Sequence, residues 1–142
     1  MASSINPQIF REYDIRGIVG KDLTPESVTN IGKAIGTYIR RGDGKTLILG
    51  RDVRSSSIEF RDILSNALNS TGCDVIDIGM VPTPMTYFAL HHFKADGGVM
   101  ITGSHNPPEF NGFKISQGVH SLYGEKVQQL KKIIQANNFE TG

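Results

Sequence analysis

The chain has 142 residues, with 15 Lys plus Arg against 14 Asp plus Glu and a formal net charge of +1. No overall field draws it to nucleic acid or to an acidic membrane surface, so any anion site must be local. The length suits one core, and the longest apolar runs fall far short of the roughly 20 residues that cross a bilayer. Cys73 is the single cysteine and can form no internal disulfide. No opening apolar segment reads as a secretory signal, so a soluble domain of the reducing cytoplasm is expected.

After a polar start, Thr24-Pro25-Glu26 reads as a helix cap followed by proline in the first turn. Val28, Ile31, Ile35, Tyr38 and Ile39 then recur at helical spacing as far as Arg41-Gly42. Thr46-Leu47-Ile48-Leu49 is a short β-rich run whose exit carries Gly50-Arg51-Asp52. Ser56 with Glu59 three positions later has the pattern of a capping box, and Phe60, Ile63, Leu64, Ala67 and Leu68 continue an amphipathic helix to Gly72. A second strand is predicted from Cys73 to Ile78, and Val81-Pro82-Thr83-Pro84 opens a helix through Ala89 and Leu90. Val99 to Ile101 is a third buried run and Phe113 to Ser116 a fourth. Val127, Leu130, Ile133 and Ile134 form the stripe of a last helix, and the tail from Asn137 to Gly142 reads as a linker.

Alternating strands and helices predict a three-layer α/β/α sandwich with a mixed, mostly parallel sheet of about four strands, because each crossover helix must cover a sheet face. The link from the third strand to the fourth is too short for a crossover helix, so that pair is expected to run antiparallel. Loops at strand ends would then share one rim, where ligands usually bind.

The most informative stretch is Thr102-Gly103-Ser104-His105-Asn106-Pro107-Pro108-Glu109-Phe110-Asn111-Gly112-Phe113-Lys114, directly after the third apolar run. Two adjacent prolines fix φ and remove two backbone donors, which stiffens the loop around Ser104. The side chains beside that hydroxyl are an imidazole (His105), an amide (Asn106) and an ammonium (Lys114), groups that handle phosphate oxygens or move a proton. Arg51, Asp52 and Arg54 form a second charged cluster at a strand exit, able to bind phosphate or to buttress the rim, with buttressing favoured. His91 and His92 are adjacent on a predicted helix and therefore point apart rather than at one metal; they and His120 read as surface residues.

This loop closely resembles the active-site serine loop of the α-D-phosphohexomutases of the bacterial phosphomannomutase/phosphoglucomutase type, in which the serine carries a phosphoryl group. Phe10-Arg11-Glu12-Tyr13-Asp14-Ile15-Arg16-Gly17 resembles the same family's N-terminal motif. Gly50-Arg51-Asp52-Val53-Arg54-Ser55-Ser56 and Val81-Pro82-Thr83-Pro84 match further family patterns. The resemblance implies that residues 1–142 are the N-terminal, phosphoserine-bearing domain of a larger four-domain enzyme, inactive alone, that moves a phosphoryl group between O1 and O6 of mannose or glucose phosphates. It assigns Ser104 as the phosphoryl carrier and brings Arg16 and Lys114 to it as cations. Tyr13 joins Arg16 and Lys114 as a substrate-binding residue, with a structural part in holding the serine loop equally open to it, and Asp14 is expected to orient Arg16. The proton is left between His105, on chemistry, and Lys114, whose pKa would need lowering. It also implies Mg2+, bound by aspartates of a second domain and one oxygen of phosphorylated Ser104, and a glucose bisphosphate activator. Partners implied are a hexose phosphate and the remaining domains, without nucleic acid or membrane. Phosphoglucosamine mutase is the nearest alternative within the family. Outside it stand a non-catalytic phosphosugar-binding module and a phosphatase using Ser104 as nucleophile.

Overall fold

Thr24 begins the first long helix, α1 (Pro25–Arg41), for a local reason. Its hydroxyl accepts the Ser27 N–H while the Ser27 hydroxyl accepts the Thr24 N–H, satisfying two donors that a helix start leaves unpaired. In this computed structural model residues 5–103, 105–118 and 120–142 are described. A 3-10 turn (Pro7–Ile9) leads into β1 (Ile15–Ile18), and α1 follows. Then come β2 (Thr46–Arg51), α2 (Ser55–Ser70), β3 (Asp74–Met80), α3 (Thr83–His92), β4 (Gly97–Ile101), β5 (Phe110–Gln117), β6 (His120–Ser121) and α4 (Glu125–Gln135).

The strands form one sheet in the order β1-β5-β4-β2-β3, with β6 also on β5. β2 runs parallel to both β3 and β4, whereas β5 is antiparallel to β4, β1 and β6. The antiparallel β4–β5 pair is the one the short connecting loop predicts. Among the described residues the sheet has six strands rather than about four. β1 and β6 are the additions: β1 has only four residues, with Arg16 and Gly17 interrupting any apolar alternation, and β6 is an exposed pair, His120 and Ser121.

Alternation along the strands separates two faces. One buries Ile15, Leu47, Leu49, Val99, Ile101, Phe113 and Ile115 in a single core with the apolar stripes of α1, α2 and α4. Phe113 meets Phe60 of α2 there at a centroid distance of 5.8 Å. The opposite face packs Ile48 against Ala89 and Leu90 of α3, which lies over β2 and β4. Toward β1 and the start of β5 this second face stays open. The fold is the expected three-layer sandwich, with one outer layer thin enough to leave part of the sheet bare.

Two local expectations are corrected. The Ser56–Glu59 capping box does not form: α2 starts at Ser55 with no side-chain cap, and the Ser56 hydroxyl instead accepts from Asn111 Nδ2 at 2.9 Å. The tail is no free linker either. Glu140 N–H donates to Thr37 Oγ1 at 2.9 Å, Gly142 N–H to the Ser70 carbonyl at 3.1 Å, and Arg41 holds the Asn138 carbonyl at 3.1 Å.

Candidate functional site

β1 and β5 bring two cations together by register. Arg16 stands opposite Gly112, and Lys114 lies two residues further along β5, so both side chains belong to the same, open face. Gly112 puts no side chain between them. With Thr83 at the start of α3 and with His105 and Asn106 of the loop, they line a cleft of about 520 Å3. Residues distant in sequence but singled out there thus meet at one place. Ser104 lies outside the described residues; its chain neighbours Gly103 and His105 are respectively buried and on the cleft wall.

Arg16 is aimed by Asp14, whose Oδ2 accepts from a terminal guanidinium nitrogen at 2.5 Å. Asp14 is only 8% exposed and the Arg16 side chain 25%, so the pair is partly shielded from screening. Among the described residues Arg16 Nε is buried without a hydrogen-bond partner, and a desolvated guanidinium N–H is costly to leave unpaired. Tyr13 is different: it is 73% exposed and does not line the cleft.

The loop between β4 and β5 is tied down mainly through backbone groups. Arg54 spans it, donating from one terminal nitrogen to the Pro107 and Phe110 carbonyls, both at 2.9 Å, and from the other to the Asn106 carbonyl at 2.8 Å. Arg54 in turn rests on Asp52, with Nε 3.3 Å from Oδ2. That same carboxylate oxygen accepts the Gly103 N–H at 2.9 Å, while Oδ1 accepts from the Ser57 hydroxyl at 2.5 Å and from the Arg54 N–H at 3.1 Å. Burial alone would raise the Asp52 pKa, but the donations from Ser57, Gly103 and Arg54 and the Arg54 charge outweigh it and hold the carboxyl below its ordinary value. Asn111, wholly buried on the core side of β5, donates to both Ser56 and Ser57 at 2.9 Å and closes the network. Asp52 and Arg54 therefore buttress the rim, as favoured from sequence. Asn111 is the member that sequence reasoning passed over, because the expected strand begins at Phe113 whereas β5 begins at Phe110.

Arg51 takes no part in the cleft. Its guanidinium lies 3.7 Å from Asp77, which also faces Arg61 at 3.6 Å. His91, His92 and His120 are exposed, and His92 stacks on Phe88. A second hollow of about 430 Å3 between α1 and α4 is lined by Tyr38, Arg41, Gln117 and Lys132 among others, and none of the candidate site residues reaches it.

Among the described residues the cleft lining holds two cations, an imidazole, an amide and a hydroxyl, with no carboxylate. Such a set fits a phosphate group. It does not fit magnesium, which takes carboxylate, carbonyl and water oxygens. Among the described residues no group of three or more His, Cys, Asp or Glu could hold a metal ion, and no helix is long and apolar enough to cross a membrane.

A family model for phosphoglucomutase/phosphomannomutase, alpha/beta/alpha domain I, matches residues 7–141. A phosphoglucomutase of Neisseria meningitidis is 46% identical over 137 residues, covering 96% of this chain and 30% of that protein. A phosphomannomutase/phosphoglucomutase of Pseudomonas aeruginosa is 44% identical over 142 residues, with 99% and 30% covered. Proteins of Thermococcus named probable phosphoglucosamine mutase also match, at 44 to 45% identity. Among solved structures, a phosphoglucomutase/phosphomannomutase family protein from Burkholderia thailandensis superimposes with a TM-score of 0.92 at 41% identity, over 97% of this chain and 32% of its own. The chain thus spans about 30% of the length of the curated relatives it matches.

Proposed function

The chain belongs to the phosphoglucomutase/phosphomannomutase family, and from that membership we propose that it is the phosphoserine-bearing first domain of a cytoplasmic mutase acting on hexose phosphates. The observation that carries the reading is the convergence of Arg16, Lys114, His105, Asn106 and Thr83 on one cleft, fed by the loop whose sequence contains Ser104.

In the forward half-reaction a sugar hydroxyl attacks the phosphorus of phosphorylated Ser104. A new O–P bond forms at the sugar, the bond from Ser104 Oγ to phosphorus breaks, and the hydroxyl proton passes to a base, for which His105 and Lys114 are the two candidates, while a proton is delivered to the departing Ser104 Oγ to restore its hydroxyl. The bisphosphorylated sugar turns around, and its other phosphate returns to Ser104, so no phosphate is consumed. Charge spreads over three equatorial oxygens during each transfer, and positioned cations stabilise it without forming bonds. Arg16 meets that demand best, because it lines the cleft and Asp14 fixes its direction. Magnesium, when bound, would neutralise phosphate charge, and aspartates of a second domain would hold it together with phosphorylated Ser104. Tyr13, 73% exposed and not among the described cleft-lining residues, would contact the sugar phosphate once it is bound. A hexose bisphosphate such as glucose bisphosphate is the natural activator, since it phosphorylates a free Ser104.

The phosphoglucosamine mutase alternative is disfavoured by Gly103, a position where that type usually has alanine. The test uses the full-length enzyme. Intact mass measured before and after a glucose bisphosphate should differ by one phosphate that maps to Ser104, and Ser104→Ala should abolish both this change and the interconversion of hexose 1- and 6-phosphates. Turnover that survives Ser104→Ala, or inorganic phosphate released in step with substrate loss, overturns the reading.

A further inference from the structure

Among the described residues Arg54 makes three bonds to main-chain carbonyls of the loop, at 106, 107 and 110, and these set where the backbone runs whatever side chains those residues carry. Asp52 meanwhile fixes the other flank of position 104 through the Gly103 N–H. One ion pair therefore grips the loop at residue 103 and at residues 106, 107 and 110, and neither partner is among the described residues lining the cleft. We propose that Arg54, seated on Asp52, is a positioning residue for phosphoryl transfer: it sets the line of approach between the nucleophile of this loop and the sugar phosphate.

Three features separate this role from general rim packing. A planar fork is needed, because three carbonyls are reached from two terminal nitrogens while Nε faces the carboxylate; a lysine ammonium has neither the span nor the planarity. Gly103 is shaped to the fork, since a Cβ there would stand 2.2 Å from the Arg54 guanidinium carbon, and that guanidinium is pinned and cannot swing aside. Asp52 is kept ionised by donors from β2's exit, α2 and the loop together, so the seat of the fork does not depend on the ligand. Transfer between oxygens is sensitive to such placement, and a shift of about 1 Å can cost about 100-fold in rate.

The inference rests on the mutase reading, and its test is a coupling cycle in the full-length enzyme. Arg54→Lys and Arg54→Ala should each lower kcat by about 100-fold while KM for the hexose phosphate stays within about threefold. Gly103→Ala should also lower kcat, yet add less than about twofold when combined with Arg54→Ala, because the methyl then has nothing to displace. A kcat near that of the unsubstituted enzyme in Arg54→Lys, a loss carried by KM alone, or additive effects of the two substitutions would each overturn it. Hydrogen exchange supplies a readout that needs no turnover: the Gly103 amide should exchange faster in Arg54→Ala, and unchanged protection overturns the latch. If the unsubstituted enzyme shows no mutase activity, the proposed function fails instead, and the Gly103 exchange still decides whether the latch exists.

Discussion

Truncating Asn111 to alanine measures how much of the fold depends on the polar network beneath the serine loop. The side chain is 0% exposed and makes three contacts: Nδ2 to Ser56 Oγ and to Ser57 Oγ, both 2.9 Å, and Oδ1 from the Gly112 N–H at 2.8 Å. They do not count equally. Ser56 is only half-buried, so water replaces its lost partner at little cost. Ser57 is wholly buried but keeps its bond to Asp52, so its loss is about 1 kcal/mol, the usual net worth of one hydrogen bond. The Gly112 N–H loses its acceptor inside the sheet, which costs about 1–3 kcal/mol. The total is about 3 kcal/mol, a sizeable part of the 5–15 kcal/mol that holds a typical domain together. At about 3 °C per kcal/mol for a chain of this size, thermal unfolding followed by circular dichroism should show a midpoint lowered by about 10 °C. A drop under about 3 °C would refute the reasoning, because it would mean the network is made at no net gain over hydration.

Arg16→Ala in the full-length enzyme should lower kcat by about 100- to 1000-fold, the scale of removing one preorganised group from a developing charge; a loss under tenfold argues that Lys114 alone suffices. Gly36→Ala should lower the unfolding midpoint: a methyl there meets Thr71 Oγ1 of the α2 end at a distance far inside contact, and overpacking at about 1–3 kcal/mol exceeds the roughly 1 kcal/mol that alanine gains over glycine in a helix. A raised midpoint would contradict the close α1–α2 approach. Acid should destabilise the domain through Asp22, Asp52 and Asp96, all held below the ordinary 3.8. The main causes are the Asn6 hydrogen bond at Asp22, donor bonds that overcome burial at Asp52, and the Thr46 and Lys45 amides at Asp96. Because the folded-state values are the lower ones, this stability is complete above 3.8 and is lost as pH falls through and below it. Urea unfolding at about pH 5 and about pH 3 reads the effect, and Asp96→Asn should flatten the slope; an unchanged slope counts against the carboxylate assignment.

Much of this architecture is legible in the chain because local chemistry and distant packing agree. Thr24-Pro25 announces α1, the apolar stripes announce α2 and α4, and the shortness of the link after Ile101 dictates an antiparallel return. The misses share one cause. Ser56 has a local partner at the right spacing in Glu59, yet its hydroxyl is claimed by Asn111, 55 residues away. The tail reads as a polar linker because nothing in it names Thr37 or Ser70 as acceptors. The Arg54 latch is invisible for a related reason: its partners are carbonyls, which every residue has, so no side-chain pattern advertises them. In the candidate site the cations were legible as residues, whereas Arg16's unpaired Nε and its aim by Asp14 needed geometry.

β5 serves two masters in strict alternation. Asn111, Phe113 and Ile115 turn toward the helices, and Gly112 and Lys114 toward the open face. Inserting one residue into this strand would exchange the two sets at a stroke, driving an ammonium into the hydrocarbon interior and stranding a phenyl ring in water. The eight residues between β4 and β5 face no such parity rule; they are constrained instead by the carbonyls and the amide that Arg54 and Asp52 hold.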